Sequence, residues 1–232
     1  MLKQLASPPR FLKLAGLINP YLYGLGALLL ALGLWFGLFQ APVDFQQGEV
    51  YRAIYVHVPA AWMSMFLYLV ACGYGVLNWI YRADVAAVMM RSALPTGAWM
   101  TVLALVTGAL WGKPTWGTYW VWDARMTSEL LLLFIYLGLM ALGQLTRDPS
   151  KADRLLAIAL LIGVVNIPLI YLSVVFMNTL HQGYSVSMQG SRIHPDIALG
   201  MWLSVFGFWL LCAANVFRRA QYLLIQRRLQ VV

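Results

Sequence analysis

LLAIALLIGVVNIPLIYLSVVFM, residues 155–177, runs for 23 residues without a charged side chain. About 20 residues of α-helix cross a hydrocarbon core roughly 30 Å thick. In lipid the backbone has to satisfy its own hydrogen bonds, so such a run is a helix. A spanning strand needs only about 10 residues and alternates in polarity. This run does neither. Its one interruption, Asn166-Ile-Pro168, reads as a kink whose freed carbonyls are satisfied locally.

Five more runs of the same kind occur: Tyr21–Phe39, Val58–Ile80, Leu94–Leu110, Ser128–Leu145 and Ile197–Phe217. Of the 232 residues, 62% are hydrophobic and 10% charged; mean hydropathy is +0.73. A soluble domain carries about 25% charged residues. The fold class is therefore an all-α integral membrane protein, a six-transmembrane-helix bundle forming a single domain over 1–232. The first run is too long for a signal-peptide core and lacks a small-x-small cleavage site after it, so it is expected to stay.

Counting basic residues orients the bundle. With the N-terminus taken as inside, the inside segments carry 12 of the 16 lysines and arginines and the outside segments four: Arg52, Lys113, Arg125 and Arg192. The positive-inside rule then places both termini in the cytoplasm. The net charge of +8 reflects topology and contact with anionic membrane lipid. No aromatic-interleaved basic motif points to nucleic acid. Tyr81–Ala93 reads as a surface helix, and Arg218–Val232 as a basic amphipathic extension along the cytoplasmic interface. Cys72 and Cys212 fall in separate spans and read as small buried hydrophobes. There is no P-loop, so an energy-coupling ATPase would be another chain.

All three histidines, His57, His181 and His194, fall on the outside or its membrane edge. The second outside loop, 111–127, holds four tryptophans and a tyrosine within twelve residues. An interfacial aromatic belt accounts for one or two per helix end; a platform for a large flat apolar ligand accounts for the density equally well. His57 and His181 come from different helices at similar depth. Neutral imidazole ligates metals and haem iron, and two of them can hold one iron from both sides. Arg52, Lys113 and Arg125 run against the charge bias. They suit the propionates of a porphyrin, or else pair with Glu49 and Asp123. Asp123 can orient the loop or a histidine.

The stretch WGTYWVWD, 116–123, fits WGxxWxWD, the signature of a tryptophan-rich haem-handling superfamily. With six spans, VHVP at 56–59 and LHQG at 180–183, nearly the whole chain resembles the CcmC (haem exporter protein C) family of cytochrome c maturation. The resemblance implies haem b as a transient cofactor, with His57 and His181 as axial ligands of its iron. It implies a platform of Trp116, Trp120, Trp122 and Asp123, with Arg52 and Arg125 beside it. His194 matches no family position.

It also implies a periplasmic active face on the bacterial inner membrane. The implied partners are a periplasmic haem chaperone (CcmE-like), an ABC ATPase and membrane subunit (CcmA-like, CcmB-like) and a small single-span protein (CcmD-like). The expected role is haem delivery without enzymatic chemistry, since no nucleophile or acid–base pair stands out. Two other readings are a transmembrane haem transporter subunit, for which no polar path runs through the spans, and a membrane b-type electron carrier, which would carry histidines at mid-span.

Overall fold

The computed structural model describes residues 7–146, 148–181, 183, 186–187, 190–191 and 193–229. Lys3, Arg147 and Arg192, counted above for orientation, lie outside the described residues, as does Gln182 of the LHQG stretch. Helix α1 covers Pro8–Trp35 and widens into a π-helical turn at Phe36–Gln40. A short 3-10 turn, Glu49–Ala53, leads into α2, Ile54–Tyr81. Then come α3, Asp84–Trp116, and α4, Ala124–Leu142. The fifth run is split into α5, Pro149–Gly163, and α6, Asn166–Phe176. A two-residue hairpin, β1 (Val186–Ser187) with β2 (Gly190–Ser191), precedes α7, Pro195–Leu229. Counting α5 and α6 as one, six helical stretches among the described residues are long and apolar enough to cross a membrane. The chain is a six-helix membrane bundle.

Helix α1 lies along α7, and α2 packs on α3. The first pair runs antiparallel: Leu12 O accepts from Gln221 Nε2 at 3.2 Å, while Gly33 lies against Ser204. A Cβ on Gly33 would sit 2.6 Å from the Ser204 nitrogen, so the two backbones approach as only a glycine allows. This places both helix-terminal regions, at Pro8 and Leu229, at one end of the bundle. Tyr55, Tyr68 and Tyr136 are fully buried in its interior. Leu17, Leu28 and Trp35 of α1 and Phe39 of the π-helical turn are exposed, which in a bilayer means contact with acyl chains.

Several boundaries differ from the sequence reading. Tyr81–Ala93 is not a separate surface helix: from Asp84 onward it is the first part of α3, and Ala87, Val88, Met90 and Ala93 are buried in the core. The tail from Arg218 does not peel away. It continues α7 to Leu229, with Ala220 and Leu224 buried. An ionic anchor holds it, because Arg227 Nη2 donates to both oxygens of buried Asp153 at 3.0 and 2.8 Å, and Arg91 donates to the same carboxylate. Polar residues that read as interfacial are thus paired with each other inside the bundle end.

The kink at Asn166-Ile-Pro168 appears as the α5–α6 break. Pro168 has no N–H and its ring would strike the carbonyl four residues back. The freed carbonyl, Val164 O, accepts from Ile167 N at 3.0 Å instead. One turn earlier Leu160 O accepts from the Tyr68 hydroxyl at 3.1 Å as well as from Val164 N. Asn166 Nδ2 pins the break to α4 through Ser128 O, at 2.9 Å.

Candidate functional site

At the end of the bundle opposite the termini, a cavity of about 350 Å³ opens between α2, α3, α4 and α6. That volume lies within the range of small-molecule sites. His57, in the first turn of α2, and His181, five residues past the end of α6, both line it. Trp62, Trp111 and Trp116 form much of its apolar wall, and Arg125 is its cation.

The hydrogen bonds fix which nitrogen of each ring is free. His57 Nδ1 lies 3.0 Å from Ala104 O and 3.1 Å from Thr107 Oγ1. A carbonyl only accepts, so Nδ1 carries the proton. Thr107 agrees, because its own hydroxyl proton goes to Leu103 O at 2.6 Å. Nε2 of His57 therefore keeps its lone pair. Gly108 allows this placement: a Cβ there would meet His57 Cε1 at 2.8 Å. Trp111 closes on the same ring edge-on, with centroids 5.6 Å apart.

His181 is held in a parallel way. Thr179 Oγ1 donates to Asp123 Oδ2. That hydroxyl oxygen lies 3.3 Å from His181 Nδ1, and Asp123 Oδ2 lies 3.6 Å from it. Only a protonated Nδ1 suits these neighbours, so Nε2 is again the lone-pair nitrogen. Burial lowers the pKa of His181 below its ordinary value, and Arg125 pushes the same way, with Asp123 opposing. The ring is neutral near pH 7. Burial would raise the Asp123 carboxyl, but the donors Thr179, Met126 N–H and Leu180 N–H, together with His181, hold it below the usual range.

Asp123 is thus a buried organiser, 9% exposed. It caps α4 by accepting from Met126 N at 2.8 Å and ties the post-α6 segment to that cap through Thr179 and Leu180. It does not line the cavity.

The Trp stretch is shorter as a loop than 111–127 suggested. Trp111–Trp116 is the last turn and a half of α3, which Gly117 ends in a left-handed conformation at φ 81°, where glycine costs least. Trp116 packs on His181 with ring centroids 4.9 Å apart. Trp120 and Trp122 lie edge to face 5.3 Å apart. Neither lines the cavity; Trp122 is 74% exposed, and Trp120 Nε1 is buried with no partner among the described residues.

Arg52 is placed elsewhere. It pairs with Glu49 and donates to Gly37 O and to Ala41 O, tying the end of α1 to the turn before α2. Arg125 Nη1 donates to Ile170 O at 3.1 Å, across the α4–α6 contact. His194 lies in the turn before α7, 3.7 Å from Asp196. Cys72 and Cys212 are buried free thiols.

Thr107, Gly108 and Thr179 carried no sequence signal as site residues, because each acts through a neighbour that only the fold supplies. Glu129 is a further case. This buried carboxyl, 8% exposed, accepts from Ser64 Oγ at 2.7 Å. It lines a second cavity of about 30 Å³ shared with His57, Gly108, Arg125 and His181, enough for about one water. Replacing Gly108 by valine is expected to push His57 off its two acceptors, lowering ligand occupancy of the cavity while membrane insertion persists. Absorption of the purified variant beside its yield in membranes checks this.

The "Heme exporter protein C" family model (CcmC) matches residues 1–232. A heme exporter protein C of Escherichia coli (strain K12) is 45% identical over 224 residues, 97% of this chain and 91% of that protein. The Bradyrhizobium diazoefficiens protein of that name is 44% identical over 208 residues, 89% and 79% of the two chains. That of Paracoccus denitrificans is 38% identical over 226 residues, 97% and 93%. The chain belongs to the heme exporter protein C (CcmC) family.

Proposed function

We propose that this protein handles haem for cytochrome c maturation, holding it in the cavity between His57 and His181 as cargo for transfer. One observation carries the reading. Two neutral imidazoles from separate elements line one cavity, and each has its Nδ1 proton committed to oxygen acceptors, so that both lone pairs are on Nε2. Such outer partners set ring orientation and ligand basicity at metal sites. The donor set fits an iron porphyrin: two nitrogens for the metal, indole walls for the macrocycle, and Arg125 for a carboxylate.

In this reading the cavity end faces the periplasm of a bacterial inner membrane, since the basic end carries the termini. Trp122 is exposed, and Trp120 packs edge to face against it. These form the surface where a periplasmic haem chaperone (CcmE-like) docks and receives haem b. An ABC ATPase (CcmA-like), its membrane subunit (CcmB-like) and a single-span protein (CcmD-like) complete the assembly. This chain orients the cargo, and the cofactor supplies the reactivity.

The test is a transfer assay. Haem-loaded protein is mixed with the soluble domain of the chaperone, and haem on the chaperone is read after denaturing electrophoresis. Trp120→Ala is expected to lower loading more than it lowers protein abundance. Equal loss of both would return the tryptophan stretch to a structural role.

A further inference from the structure

We propose that the opposite end of the bundle holds a second binding site, for the phosphate group of an anionic phospholipid. A cavity of about 780 Å³ lies there between the ends of α2, α3, α5 and α7. Its charges are unevenly matched. Asp153 is taken by Arg91 and Arg227. Asp148 caps α5 by accepting from the backbone nitrogens of Ser150 and Lys151, and Asp84 lies 3.9 Å from Arg227. Arg82, Arg154 and Arg228 line the same cavity and have no carboxylate partner among the described residues.

Two further observations point to a ligand. Asn78 lines the cavity and is only 8% exposed, yet its side-chain amide makes no hydrogen bond among the described residues. A buried amide in that position offers donors to whatever occupies the space. Arg82 ends α2 at φ 48°, the one non-glycine residue of positive φ among those described. Glycine or asparagine adopts that conformation more cheaply, so the guanidinium stands at the cavity mouth despite a backbone that disfavours it.

The surroundings favour a lipid as the source of the phosphate. Trp79, Ile80 and Tyr81 are exposed on the adjoining end of α2, the belt of residues that sits at headgroup depth. Arg154 rests over the Trp79 ring at 5.4 Å, which orients its charge toward that level. Basic pockets between helix ends are suited to phosphorylated headgroups, and guanidinium matches phosphate geometry.

The experiment uses the full chain, purified and delipidated in detergent, with fluorescent phosphatidylglycerol as probe and phosphatidylcholine as reference. Arg154→Gln/Arg228→Gln is expected to weaken phosphatidylglycerol binding about tenfold, the loss of a charge-assisted contact. Asn78→Leu, which keeps every charge, is expected to weaken it too. The control is Arg218→Gln/Arg219→Gln, which removes the same charge from the same end of the bundle but outside this cavity. It is expected to bind as the wild type does. Equal loss in both double variants, or no preference over phosphatidylcholine, overturns the site. Displacement of the probe by millimolar inorganic phosphate would keep the phosphate site but overturn the lipid as its occupant.

Discussion

The His57→Ala/His181→Ala double variant is expected to purify colourless after haem addition. The wild type should show a Soret band with low-spin features in the oxidised and reduced states. Each single variant is expected to bind haem on the order of 100-fold more weakly, since even loss of an outer-shell partner costs about 10- to 100-fold at metal sites. The two are not equivalent. His57 lies in a helix and is braced by Ala104 O, Thr107 and Trp111. His181 lies beyond a helix and depends on Thr179, Asp123 and Trp116. The His57→Ala spectrum should therefore be the more heterogeneous, with His181 retaining the freer ring. Normal low-spin spectra in both single variants would remove the ligand assignment.

Asp123 gives the second large effect. Asp123→Asn keeps an acceptor for Met126 N–H, so most of the α4 cap survives, but the charge that orients His181 is gone. Haem affinity is expected to fall about 10- to 100-fold, and the amide nitrogen in place of Oδ2 leaves the Leu180 N–H without its acceptor, about 1–3 kcal/mol of stability. Asp123→Ala adds the loss of the cap, about 1 kcal/mol, and leaves the Thr179 hydroxyl without its acceptor as well.

The pH dependence separates orientation from packing. Only the neutral imidazole offers a lone pair, and burial, with Arg125, sets the His181 pKa below the ordinary value of about 6.5. Low-spin occupancy should stay level from pH 8 to about 6.5 and fall only as pH drops through that lowered pKa. Asp123 raises the His181 pKa against burial, so in Asp123→Asn the fall should begin at still lower pH, although affinity is weaker throughout. A fall displaced to higher pH would show that the carboxylate does not act on the ring.

The tertiary structure also divides the outward cations. Arg52 and Arg125 look alike in the sequence, as charges on the poorer side of the bundle. Arg52 is spent on Glu49 and on the carbonyls at the end of α1, whereas Arg125 lines the cavity. The tryptophans divide in the same way. Trp116 touches His181, because it still belongs to α3. Trp122, past the glycine that ends the helix, is exposed. One stretch that reads as a uniform platform is half cavity wall and half outer surface.

By itself the sequence determined the six apolar helices and the kink at Asn166-Ile-Pro168, and it singled out His57 and His181, the two histidines that line one cavity. These follow from local rules: hydrocarbon thickness fixes length, proline lacks a donor, and imidazole is scarce. What only the tertiary structure decided is where each helix ends, since charges such as Arg227 and Asp153 cancel each other inside the bundle and let α7 continue where composition suggests an interface. It also decided the tautomers of His57 and His181. Ala104 is 47 residues from His57, and Asp123 is 57 residues from Leu180, whose N–H it accepts beside His181. No local pattern encodes partners that far apart, because hydrogen bonds between separate helices depend on how the backbones pack.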